Sequence, residues 1–90
     1  MIQSTLDALC DPTRRSILRL LMRGERSAGE ICEKFDISTP AISRHLAVLC
    51  DAELVRAERR GKRIFYSLCP EPVEALRAWA DEFLASAEEY

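Results

Sequence analysis

The side chains best equipped for chemistry in this chain are cationic and hydroxylic, and they fall in two places. Thr39, Ser43 and Arg44 lie close together in one stretch, and Arg59, Arg60, Lys62 and Arg63 crowd into another. A guanidinium can make two parallel hydrogen bonds to O6 and N7 of guanine, and short hydroxyl side chains can approach base edges. Clustered lysines and arginines attract phosphate oxygens whatever the base sequence. The chemistry on offer is recognition of a polyanion. For bond-making the parts are missing: there is no glycine-rich phosphate loop, no metal triad, and a single histidine, His45, without a nucleophile partner.

The elements that must hold these residues can be read from the surrounding pattern. Residues 3–10 suggest a short helix, closed by Asp11-Pro12, where proline disfavours a helical residue before it and suits the first turn of the next helix. Asp11 is then an N-cap, and the second helix runs to about Arg23 before Gly24, with Ile17, Leu18, Leu20 and Leu21 at helical spacing. Ser27 followed by Glu30 is a capping-box pattern that opens a helix over residues 28–35, with Ile31 and Phe35 facing inward. Ser38 caps the next helix, in which Ile42, Leu46 and Leu49 point to the core while Thr39, Ser43, Arg44 and Ala47 fall on the opposite side.

Between residues 54 and 68 the period changes. Val55 and Ala57 alternate with charged residues, Arg60-Gly61-Lys62 supplies a turn, and Ile64-Phe65-Tyr66-Ser67-Leu68 has high strand propensity, so a two-stranded hairpin is expected. A last helix over residues 71–88 carries the apolar stripe Val73, Leu76, Trp79, Ala80, Phe83 and Ala87. The order is four helices, two strands and a helix. Two short helices at a tight turn followed by a basic hairpin make a mainly α, winged helix-turn-helix fold. With 90 residues and no linker, the chain reads as one domain.

The net charge of −2 argues at first against a nucleic-acid partner, but the charge is unevenly placed. Residues 1–70 hold twelve Lys/Arg against nine Asp/Glu, whereas residues 71–90 hold one Arg against six. Residues 56–63 alone hold five Lys/Arg against one Glu. Phosphate responds to the local field, because screening over about 8 Å at physiological salt hides a distant acidic helix. No apolar run approaches the roughly 20 residues needed to cross a bilayer, and residues 1–11 do not resemble a signal peptide; a cytoplasmic protein is expected.

Three blocks resemble a known family. Asp11-Pro-Thr-Arg-Arg-Ser-Ile-Leu18, Ser38-Thr-Pro-Ala-Ile-Ser-Arg-His-Leu46 and Arg60-Gly-Lys-Arg-Ile-Phe-Tyr-Ser-Leu68 look like the signature blocks of ArsR/SmtB repressors, over nearly the whole chain. Within that family it resembles the SdpR-like branch of autorepressors, which lack metal ligands. The resemblance implies a homodimer built from the first and last helices, bound to an inverted-repeat operator in double-stranded DNA. It places Ser38, Thr39, Pro40, Ser43, Arg44 and His45 in the DNA-reading segment, with Arg59, Arg60, Lys62 and Arg63 as the wing. Leu6, Leu76, Trp79 and Phe83 become candidate dimer contacts. Glu53 departs from the pattern, which often has glycine there.

Metal-sensing relatives often carry Cys-x-Cys in the first helix of the helix-turn-helix, or Asp and His pairs on the last helix. Here a single Cys32 and a last helix without histidine reproduce neither, so no metal site and no cofactor are expected. Cys10 and Cys69, each at the junction of a dimer-forming helix, are candidates for a thiol or arsenite sensor, against the plainer reading of reduced, partly buried thiols. Regulation by a partner protein is a further option the resemblance implies. An enzyme is poorly supported. A winged helix that binds protein would suit a neutral or acidic wing better than this basic one.

Overall fold

The computed structural model describes residues 2–88. Helix α1 (Ile2–Leu9) leads into α2 (Pro12–Leu21), and the corner between them is held by Asp11, whose Oδ1 accepts from the backbone N–H groups of Thr13 (2.7 Å) and Arg14 (3.2 Å). Those donors have no partner inside the helix, so the carboxylate satisfies groups that would otherwise be left open. The next helix, α3 (Ala28–Lys34), begins in a complete capping box: Ser27 Oγ accepts from Glu30 N–H, and Glu30 Oε1 accepts from Ser27 N–H. Ser38 caps α4 (Thr39–Asp51), with its Oγ accepting from Ala41 N–H.

The far end of α4 closes in a Schellman arrangement. Glu53 N–H bonds Cys50 O and Leu54 N–H bonds Leu49 O, while Leu49 and Leu54 are both buried. That geometry puts Glu53 at φ 61, in the left-handed region usually occupied by glycine. The residue that departs from the family pattern therefore adopts a glycine-like backbone.

The hairpin consists of β2 (Val55–Arg60) and β3 (Arg63–Leu68), joined by Gly61 and Lys62, with Arg60 opposite Arg63. Gly61, at φ 64, occupies the first loop position, where a two-residue type II′ hairpin turn needs a positive φ. The expected two-stranded hairpin is in fact part of a three-stranded antiparallel sheet. A short β1 (Arg26–Ser27) pairs with β3, Arg26 opposite Tyr66 and Ser27 opposite Phe65, giving the order β1-β3-β2. Ser27 thus ends a strand and caps a helix at once. Helices α2 and α3 stop at Leu21 and Lys34, a residue or two short of the sequence-based limits.

Ile17, Leu18, Leu21, Ile31, Ile42, Leu46, Leu49, Leu54 and Val55 form the core, into which the apolar sides of α2, α3 and α4 and the start of β2 are pressed. Phe35 is only half-buried at its margin. The last helix, α5 (Glu71–Glu88), packs against α1 and buries none of its residues. The molecule measures 55 × 25 × 21 Å. No described helix is long and apolar enough to cross a membrane.

Candidate nucleic-acid interface

The core fixes which side of α4 is available. Ile42, Leu46 and Leu49 are buried, so their spacing forces Thr39, Pro40, Ser43, Arg44 and Ala47 to the exposed side. Ser38 is exposed too, but its hydroxyl is occupied as the helix cap. Thr39, Ser43 and Arg44 share one open surface, with donors and an acceptor suited to base edges.

His45 differs from its neighbours. It is half-buried, and its Nδ1 lies 3.4 Å from a guanidinium nitrogen of Arg14. Arg14 in turn donates to the carbonyls of Ala8 (2.7 Å) and Asp7 (3.0 Å), so one side chain joins the end of α1 to the middle of α4. Arg15 donates to Leu9 O from the same corner. Burial alone would push the Asp11 carboxyl up. The N–H groups of Arg14 and Thr13, with His45 and the charge of Arg14, outweigh it and hold the pKa below the usual carboxylate value.

The four basic wing residues have unequal surroundings. Arg60 donates from Nε to Glu58 (2.6 Å) and through its two terminal nitrogens to both carboxylate oxygens of Glu25 (2.7 and 2.8 Å). Those carboxylates push its pKa further above the ordinary arginine value. Its guanidinium lies 4.7 Å from the Phe65 ring centroid. Arg63 also lies over Phe65, at 5.4 Å, and donates to Ser27 Oγ. Arg59 makes one bond, from Nε to Gly61 O at 3.3 Å, and exposed Lys62 makes none to any described residue. The sequence placed all four cations in the wing without separating the committed from the free. Glu25 and Arg14 were missed as partners; both look like ordinary surface charges until the chain is folded.

A family model described as "Bacterial regulatory protein, arsR family" matches residues 11–57, from the cap of α2 through the helix-turn-helix into the wing. The chain belongs to the arsR family. As an arsR-family winged helix-turn-helix protein it is a DNA-binding transcriptional regulator, not an enzyme. It is 48% identical over 67 residues to the transcriptional repressor SdpR of Bacillus subtilis (strain 168), covering 74% of each chain. It is 46% identical over 61 residues to a probable mercury resistance operon repressor of Streptomyces lividans, covering 68% of this chain and 49% of that one. The crystal structure of an ArsR family transcriptional regulator superposes with a TM-score of 0.92 at 31% identity, over 98% of this chain and 91% of that one.

All four cysteines are free thiols: Cys10 is exposed and Cys32, Cys50 and Cys69 are half-buried. Burial, then the charges of Asp51 and Cys69, push the Cys50 thiol up. Burial likewise raises the Tyr66 hydroxyl, followed by Cys50 and Cys32. Among the described residues, no group of three or more His, Cys, Asp or Glu is placed to hold a metal ion. On α5, Trp79 (53% exposed), Phe83 (60%) and Leu84 (58%) lie open, with the first two rings stacked at 5.6 Å. Leu6 on α1 is also exposed, whereas Leu76 is half-buried.

Proposed function

We propose that this arsR-family regulator is a repressor that binds an inverted-repeat operator as a homodimer, and that it includes its own promoter among its targets. The observation that carries the reading is the division of α4. Its apolar side is locked into the core, while Thr39, Ser43 and Arg44 stand open on the other side. In this reading the N-terminal half of α4 enters the major groove, with Arg44 and Ser43 reading bases and Ser38, Thr39 and Pro40 lying near the backbone. His45 orients the helix from behind. Lys62 and Arg59 reach phosphates flanking the groove, so affinity falls with salt while discrimination rests on α4.

The dimer is inferred from α5. A helix with no buried residue and an exposed row of Trp79, Phe83 and Leu84 gains little from its own chain, whereas most helical stability in proteins comes from packing an apolar face. A second copy packed along α1 and α5 would cover that row with Leu6 and Leu76. It would also set the two reading helices in successive major grooves, about 34–36 Å apart. Leu84 joins the candidate contacts named from sequence.

The test is a gel shift of the full chain on the DNA immediately upstream of its own gene, with random duplex as the competitor, alongside sedimentation. A specific shift by a species of dimer mass is expected. Zinc, arsenite and peroxide added in separate lanes identify any inducer by release. Absence of a specific shift in every lane overturns the operator reading, and a monomer at micromolar concentration overturns the dimer.

A further inference from the structure

We propose that Arg60 is a positioning residue of the wing and not one of its phosphate contacts. It acts as a strap that ties β2, across β3, to the segment leading into the helix-turn-helix. The proposal rests on the DNA-binding reading above and adds to it a division of labour among the wing cations.

Arg60 ends β2, and β2 lies at the far side of the sheet from β1. Its guanidinium crosses over the ring of Phe65 on β3 and ends on Glu25, the residue before β1. All three side-chain nitrogens point at carboxylates, Nε at Glu58 and the terminal pair at Glu25. Glu25 and Glu58 offset the charges of Arg60 and of Arg63 over the same ring, so the cluster offers a phosphate no net positive charge. Lys62, next but one along the chain, pairs with no carboxylate among the described residues.

The hairpin needs such a strap. Strand β1 meets β3 only at Arg26–Tyr66 and Ser27–Phe65, so residues 59–64 extend past it as a bare two-stranded ribbon. A two-stranded ribbon is marginally stable alone and its twist varies. A lone surface ion pair contributes little, and these side chains are 49% and 36% exposed. A two-pronged arginine–carboxylate pair backed by a ring and a second carboxylate is more directional. Arg63, over the same ring and bonded to Ser27 Oγ, braces the strap from the β1 side.

Two charge-conserving variants, Arg60→Lys and Glu25→Asp, break the two-pronged geometry without changing net charge. Fluorescence anisotropy on one duplex across a salt series, with Arg60→Gln and Lys62→Gln as references, reads the outcome. The strap requires Arg60→Lys and Glu25→Asp each to weaken binding by about 2- to 10-fold. It also requires Arg60→Gln to leave the slope of log K against log salt unchanged, while Lys62→Gln reduces it by about 0.9. If Glu25→Asp instead tightens binding and Arg60→Gln flattens the slope, Arg60 is a masked phosphate contact and the proposal is wrong. Without DNA, amide hydrogen exchange at residues 59–64 should speed up in both charge-conserving variants; unchanged exchange overturns the strap even if the wild-type chain binds no duplex. Failure of the wild type to bind counts against the DNA reading alone.

Discussion

Nδ1 of His45, on α4, lies 3.4 Å from the guanidinium of Arg14, whose other nitrogens hold the last carbonyls of α1. A helix end leaves its final carbonyls without partners, and here a side chain from the next helix supplies the donors. Helices α1 and α4 therefore share one arginine. Arg14→Lys keeps the charge but cannot divide a rigid fork among three acceptors. It should destabilise the fold by about 1–2 kcal/mol in urea unfolding. A loss below about 0.5 kcal/mol would show that the corner holds without the fork.

Arg44 is exposed beside Ser43 on the open side of α4. Arg44→Ala should cost about 1–3 kcal/mol on operator DNA and relax base preference at one position of each half-site. Equal losses on operator and random duplex in a competition titration would demote it to a phosphate contact.

Trp79 and Phe83 are stacked on each other and open to solvent in the single chain. Replacing Phe83 by Asp places a charge in what is proposed to be a desolvated interface, where an unpaired charge is strongly unfavourable. Sedimentation should show the dimer weakened at least 10-fold, with DNA affinity falling in step. A variant that stays dimeric would move the interface off this face of α5.

Glu53 occupies a left-handed backbone position, which costs a residue with a Cβ about 1–2 kcal/mol. Glu53→Gly removes that strain and returns part of the gain as extra freedom in the unfolded chain. A net stabilisation of about 0.5–1 kcal/mol is expected. A destabilised variant in chemical denaturation would mean that the Glu53 side chain makes up for its own strain.

Two caps predict the acid response. Hydrogen bonds from Ser27 backbone and side chain, and then the charges of Arg26 and Arg63, outweigh burial and hold the Glu30 carboxyl low, as the α2 N-terminus holds Asp11. Groups lowered on folding stabilise fully above their unfolded pKa, about 4, and lose that contribution as the pH falls through their folded values. Urea midpoints should therefore drop as the pH falls below about 4–5. Asp11→Asn, which still caps, and Glu30→Gln should flatten that dependence. An unchanged pH profile in the double variant would assign the acid response to other carboxylates.

The short-range features of this protein were legible without a fold. Asp11, Ser27 and Ser38 were recognisable as caps because each bonds backbone within three residues, and Ile42, Leu46 and Leu49 announced the buried side of α4 through spacing alone. The basic wing and the family blocks were legible in the same way. What the sequence could not reveal were the partners that lie far apart along the chain. Strand β1 exists because Arg26 and Ser27 meet β3, and a two-residue strand has no periodicity of its own to read. Arg60 and Lys62 are interchangeable as charges in a sequence; only folding brings Glu25 and Phe65 to one and leaves the other free. His45 and Arg44 are neighbours on one helix, and the core that turns Arg44 outward also turns His45 against Arg14. Type and local spacing determine which residues could bind a nucleic acid. Long-range packing, which sets the surroundings of each charge, decides which of them are available to do so.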